Sequence, residues 1–279
     1  MEASDRCAHS NLATLLGVSI ALAAPIAHSA PASSATVYFA HNDAQYLAEN
    51  QREGGAALFP RGVDDEALPL IVFLHGTNPG GDLHLWLGGG GHDLRPLARR
   101  LFTEKKLRRF ILAGPSQTRA AGHGRTLWQD FDLSAFVDDV AEALDGRATI
   151  DRGSVVFVGH SGAGCNPRGG LATDFWSHGR VSPRTLIAID PCLDAKLGAA
   201  FARRPPRVPL WVMWQSAVWP REPAAFKSAL VPSDAAPRED RVEKLLSHGA
   251  DAHDKILPLA LERAVRTLFA VHEQHSDAS

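Results

Sequence analysis

Cysteine is scarce in this chain, three in 279 residues, and no Cys or His residues recur at the short spacings of a metal-binding loop. A disulfide-dense scaffold is excluded, and no metal ligand set is expected. Excess charge is absent too: 29 Lys and Arg against 31 Asp and Glu leave a formal net charge of −2, with no basic stripe. Nucleic acid and anionic membrane surfaces are therefore not expected partners. No long internal repeat occurs, which argues against a solenoid. The four glycines at 88–91 are not followed by Gly-Lys-Ser or Gly-Lys-Thr, so they do not form a phosphate-binding loop.

What is present is enough apolar residue for a substantial core, 45% of the chain against 22% charged. The length suits one large domain or two small ones. Residues 12–24 are apolar, follow Arg6, and lead through Pro25 into small residues. That is the layout of an export signal, too short for a comfortable transmembrane span. It departs from the ideal in Glu2 and Asp5, which offset Arg6, and in the proline within Ala30, Pro31 and Ala32. The expectation is a signal over 1–32, a folded domain over 33–279, a periplasmic or secreted destination, and no stable membrane anchor once the signal is removed.

The central stretch is 153–166. Val155, Val156, Phe157 and Val158 suit a strand buried on both faces of a parallel sheet. They run into Gly159, His160, Ser161, Gly162, Ala163 and Gly164, from which a helix is expected to about 178. A serine held at so sharp a corner needs small residues around it, because its backbone occupies strained φ/ψ space. Gly159, Gly162 and Ala163 supply them. The G-x-S-x-G nucleophile elbow has glycine where this chain has Ala163, a departure by one methyl group. Without a base nearby, the same serine would only cap the following turn.

Around this stretch the chain alternates strands and helices. Short strands are expected at 36–39 and 56–59, then an apolar strand over 68–74 that ends in His75, Gly76 and Thr77. Helical spacing of Leu94, Leu97, Ala98 and Leu101 predicts a helix over 93–105, and a strand follows over 109–114. A second helix over 132–144, capped by Asp132 or Ser134, carries the apolar stripe Phe136, Val137, Val140, Ala141 and Leu144. It is placed as the crossover between two parallel strands, with Asp138 and Asp139 on its solvated face. A strand over 184–189 ends in Asp190; another over 208–215 ends in Gln215 and Ser216 with no acid. The segment 219–241 reads as an insertion, 241–247 as a last strand, and 259–272 as a last helix preceded by a loop that carries His253.

The order strand–His-Gly–helix–strand–helix–strand–GHSGAG–helix–strand–Asp–strand–loop–His–helix resembles the α/β-hydrolase superfamily over about 36–272. The resemblance implies an α/β fold with a mostly parallel central sheet and helices on both faces. It also implies a nucleophile, acid and histidine in that chain order. Ser161 would be the nucleophile and His253 its base, with His248 as a competitor. Asp190 would orient the imidazole; Asp194, Glu222 and Asp234 are the other candidates. Backbone N–H groups of Thr77 and Gly162 would form the oxyanion hole. Cys165 and Cys192, each just past one of these strand tips, would be placed to form a disulfide if the strands are neighbours. The activity implied is hydrolysis of a small-molecule or polymeric carboxylic ester through an acyl-enzyme, without cofactor or metal. The same triad serves amidases, peptidases and acyltransferases, and the fold also serves proteins that bind without turnover. Trp86, Trp128, Trp211, Trp214 and Trp219 are candidates for an apolar acyl pocket or for the core.

Overall fold

The computed structural model describes residues 33–271 apart from 42–52, 64–65, 79, 82, 84–86, 89–91, 119–126, 165, 167–168, 177–178, 193–194, 218–225, 227–240, 246 and 248. The chain divides into two units, Met1–Ala30 and Pro31–Ser279, and every described residue lies in the second. The expected signal segment lies outside the described residues.

Ten strands and four α-helices are described. The strands are β1 (Ser34–Phe39), β2 (Gly55–Pro60), β3 (Ala67–Leu74), β4 (Leu87–Gly88), β5 (His92–Asp93), β6 (Ile111–Pro115), β7 (Thr149–His160), β8 (Thr185–Ile189), β9 (Leu210–Trp214) and β10 (Arg241–Lys244). The helices are α1 (Arg95–Phe102), α2 (Leu133–Leu144), α3 (Ala195–Arg203) and α4 (Ala252–Leu268). Eight strands form one sheet in the order β1-β2-β6-β3-β7-β8-β9-β10. β1–β2 and β2–β6 pair antiparallel, and from β6 to β10 every neighbouring pair is parallel. The two short strands β4 and β5 pair with each other and bracket the glycine run.

The sheet is buried on both faces, which is why its central strands are continuously apolar rather than alternating. Leu70, Val72 and Leu74 of β3 join Val155 and Phe157 of β7 and Leu186 and Ala188 of β8 on one face. Phe136, Val137, Val140 and Leu144 of α2 cover that face. The intervening residues Ile71, Phe73, Val156, Val158, Ile187 and Ile189 point the other way, under α1 and α4. α2 joins β6 to β7, and both flank β3, so it is the crossover that the sequence predicts. Its cap is Asp132, whose Oδ1 accepts the Ala135 N–H at 3.0 Å. Ser134 is instead buried, its hydroxyl accepting from the Val181 N–H.

Two expectations need correction. The elbow is not followed by a continuous helix: the described residues form two 3₁₀ turns, Ser161–Gly164 and Gly170–Asp174. Asn-Pro at 166–167 disfavours helix, and Gly170 at φ +57° turns the chain in a conformation open to glycine. The last helix starts at Ala252, well before 259, and runs through Pro258. Burial of Ile256 and Leu257 beside Ala260 and Leu261 outweighs the backbone hydrogen bond that Pro258 cannot make. Of the tryptophans weighed for the pocket or the core, Trp128 and Trp211 are core residues, 0% and 2% exposed. Trp86 and Trp219 lie outside the described residues.

Candidate active site

The parallel strands β6, β3, β7, β8 and β9 are adjacent and all end on one edge of the sheet, so their carboxyl tips line up there: Ser116 and Gln117, His75 to Thr77, Ser161, Asp190, and Gln215. Crevices outside such tips are where open α/β sheets bind their ligands.

Ser161 sits at the end of β7 with φ +54°, a left-handed backbone that L-residues seldom adopt. The space around it is closed by backbone. A methyl on Gly159 would lie 2.7 Å from the Ala163 carbonyl oxygen, and one on Gly76 would lie 2.8 Å from Ser161 Cβ. These positions require glycine, whereas position 163 accommodates alanine, fully buried. The single-residue departure from G-x-S-x-G thus leaves the turn intact.

Asp190, at the tip of β8, is also left-handed, φ +46°, and 4% exposed. Its Oδ2 lies 2.5 Å from His253 Nδ1. A carboxylate at Nδ1 selects the tautomer with the proton there, and leaves Nε2 as the basic nitrogen. His253 lies in the first turn of α4, not on the preceding loop. Of the carboxylates considered as partners of His253, Asp190 is the one whose contact with it is described. Asp194, Glu222, Asp234 and His248 lie outside the described residues.

His160, immediately before Ser161, is fully buried and stacks on His253, with ring centroids 4.8 Å apart at 27°. Its Nε2–H donates to the His253 carbonyl at 3.1 Å. Burial pushes its pKa down to about 3, with the neighbouring His253 charge acting in the same direction. The ring stays neutral and serves as a fixed donor. The contact also joins the β7 tip to the α4 first turn.

On the other side of Ser161, the His75-Gly76-Thr77 turn is held by a network that sequence reasoning did not assemble. The Gln117 N–H donates to His75 Nε2 at 2.9 Å, so the ring proton is on Nδ1 and donates to the Gly76 carbonyl at 2.7 Å. That carbonyl fixes its peptide plane. The Thr77 N–H, on the opposite edge of the same trans peptide, points away from the His75 ring. Trp128 Nε1–H donates to the His75 carbonyl at 2.8 Å, and Asn166 Nδ2 donates to the Leu127 carbonyl at 2.5 Å. Thr77 and Gly162 are side by side: a methyl on Gly162 would lie 3.9 Å from Thr77 Cγ2 and 2.9 Å from Leu127 Cδ2. Gly162 is buried and Thr77 exposed. The Asn-Pro at 166–167 was a turn signal, but nothing local links Asn166 to Leu127 or Trp128 to His75.

Cys192 is disulfide-bonded, and its partner lies outside the described residues, as does Cys165. Gly164 packs toward Pro191, with its methyl position 3.2 Å from Pro191 Cβ, so the elbow and the segment after Asp190 are in contact. Among the described residues, no three His, Cys, Asp or Glu gather as a metal ligand set. No described helix is long and apolar enough to cross a membrane.

No protein-family model matches the chain, and no curated protein matches its sequence. Solved structures do match. A thermostable esterase aligns at TM-score 0.54 and 18% identity, over 84% of this chain and 62% of that one. An S-formylglutathione hydrolase from Staphylococcus aureus aligns at TM-score 0.51 and 12% identity, over 86% of this chain and 98% of that one. An uncharacterised protein from Capnocytophaga ochracea aligns at TM-score 0.50 and 14% identity, over 84% and 63%. This chain spans less than two thirds of the first and third of these. The architecture shared with the two hydrolases is the α/β-hydrolase fold, a mostly parallel sheet flanked by helices.

Proposed function

We propose that this chain is an exported serine hydrolase that cleaves a carboxylic ester through an acyl-enzyme, with Ser161, His253 and Asp190 as its triad. The observation that carries the reading is the pairing of Asp190 with His253 Nδ1 at 2.5 Å, on the same sheet edge as a serine with φ +54°. A buried carboxylate bound to an imidazole has a ready use beside such a serine: it fixes the tautomer and stabilises positive charge on the ring. The name of one structural neighbour, an esterase, and that of another, a hydrolase, agree with this reading.

In the proposed cycle, Ser161 Oγ attacks the ester carbonyl carbon while its proton passes to His253 Nε2. The Thr77 and Gly162 N–H groups receive the charge that develops on the carbonyl oxygen. As the C–O bond to the alcohol breaks, His253 returns the proton to the departing oxygen. Water then attacks the acyl carbon, gives a proton to His253, and releases the acid as Ser161 regains it. An amide or a second acceptor in place of water fits the same residues, so ester is the substrate class chosen and the leaving group is the variable. Residues 1–32 are proposed as the export signal.

The test is labelling of the purified protein with a fluorophosphonate, whose phosphorus takes Ser161 Oγ and loses fluoride. An adduct on the Ser161 peptide, lost in Ser161→Ala and much reduced in His253→Ala, is the expected result. A folded protein with no adduct overturns the hydrolase reading and favours a binding role for the fold.

A further inference from the structure

We infer that Gln215, at the tip of β9, is the positioning residue for the Asp190 carboxylate. The inference rests on the hydrolase reading above and names a part of the site which that reading leaves out. Asp190 must hold its carboxylate in one orientation while its own backbone is left-handed at a strand end. It could rotate about its side-chain bonds unless something fixes the second oxygen.

Gln215 supplies both restraints. Its backbone N–H donates to Asp190 Oδ1 at 3.2 Å, and its Nε2–H donates to Oδ2 at 2.8 Å. Oδ2 is the same oxygen that meets His253 Nδ1. The amide cannot be reversed without loss, because Gln215 Oε1 accepts the Ala217 N–H at 2.6 Å. Gln215 is itself 1% exposed, so these bonds are made away from bulk water. Next to it, the Asp190 N–H donates to the Met213 carbonyl at 2.7 Å and ties β8 to β9. A glutamine donates where a carboxylate would repel. The absence of an acid from the β9 tip is thus part of how the β8 acid is held: the neighbouring strand contributes a donor that keeps the Asp190 carboxylate aimed.

The test uses the full chain and two substitutions of similar size. Gln215→Met removes the donor without adding charge, and Gln215→Glu replaces it by a carboxylate. The limiting rate of fluorophosphonate labelling in Q215M is expected to fall about tenfold or more, the scale of one hydrogen bond to a charged group. In Q215E a second carboxyl group meets the Asp190 carboxylate at hydrogen-bond distance in a buried site, and two such groups compete for one proton. The shared proton adds a titration that the wild type lacks, and the rate–pH profile is expected to change shape. The downfield His253 Nδ1–H proton resonance gives a readout independent of turnover and is expected to shift in both variants. Wild-type rates and profiles in both variants would overturn the assignment, as would losses that only follow the unfolded fraction with an unmoved pH profile. If the wild type takes no label while the Nδ1–H resonance still responds to Q215M, the hydrolase reading fails and the positioning role stands. If neither labelling nor the resonance responds, both fall.

Discussion

His160 lies flat against His253 and donates its Nε2–H to the carbonyl of that same residue at 3.1 Å. A buried imidazole in this position must stay neutral, and its pKa in the folded chain is about 3 against an ordinary 6.5. Unfolding below pH 6.5 therefore takes up a proton that the folded chain excludes. Stability from this residue is complete above pH 6.5 and is lost as pH falls toward 3. The slope approaches about 1.4 kcal/mol per pH unit within that window. His160→Gln keeps a donor and cannot titrate. Urea unfolding measured at intervals between these pH values is expected to show a shallower acid slope for H160Q; equal slopes would contradict the neutral ring.

Asp190→Asn tests the partner of His253. Asparagine removes the negative charge and, in either amide orientation, sets its N–H against a donor of Gln215, so the imidazolium loses its counter-charge and the fixed alignment of His253 is disturbed. Fluorophosphonate labelling is expected to slow by roughly 10³- to 10⁴-fold with the unfolding transition preserved. A rate within tenfold of wild type would remove Asp190 from the proposed triad.

Gly159→Ala would set a methyl 2.7 Å from the Ala163 oxygen and 2.9 Å from Leu171 Cγ. Both neighbours are in the closed turn around Ser161, and overpacking of this kind costs about 1–3 kcal/mol. Gly62 is the control: φ is +68°, but nothing lies within 4 Å of its methyl position. Gly62→Ala should cost about 1 kcal/mol from backbone strain alone and leave labelling unchanged. Thermal unfolding of the two variants, with labelling of Ser161 in each, separates the close packing at the elbow from the general intolerance of positive φ.

Trp128→Phe keeps a buried ring beside His75 and removes the Nε1–H that its carbonyl accepts at 2.8 Å. An unmet buried acceptor costs about 1–3 kcal/mol. The His75-Gly76-Thr77 turn should also lose its alignment, so labelling slows at temperatures where the variant is fully folded. Destabilisation with an unchanged labelling rate would show that Trp128 supports the core and not the turn.

The elements that could be read in the sequence are those whose cause is local. Val155 to Val158 announce a buried strand by composition, Asp132 announces a helix start, and the glycines around Ser161 announce a tight corner. The start of α4 was not legible, because Pro258 is a local stop signal that only the packing of Ile256 and Leu257 overrides. The residues after the elbow misled for the opposite reason: glycine spacing allowed a helix, while Asn-Pro and Gly170 divided it into 3₁₀ turns.

The sequence by itself determined the strand and helix types, the corner at Ser161 and the short list of acids, because these depend on residue size, periodicity and chain order. Only the tertiary structure decided which groups meet. The contacts of Asp190 with His253 and Gln215, and of His75 with Gln117 and Trp128, join residues far apart in the chain. Their pairing follows from the order β6-β3-β7-β8-β9 across the sheet. That order is set by burial on both faces and by the crossovers, which no single stretch of sequence encodes.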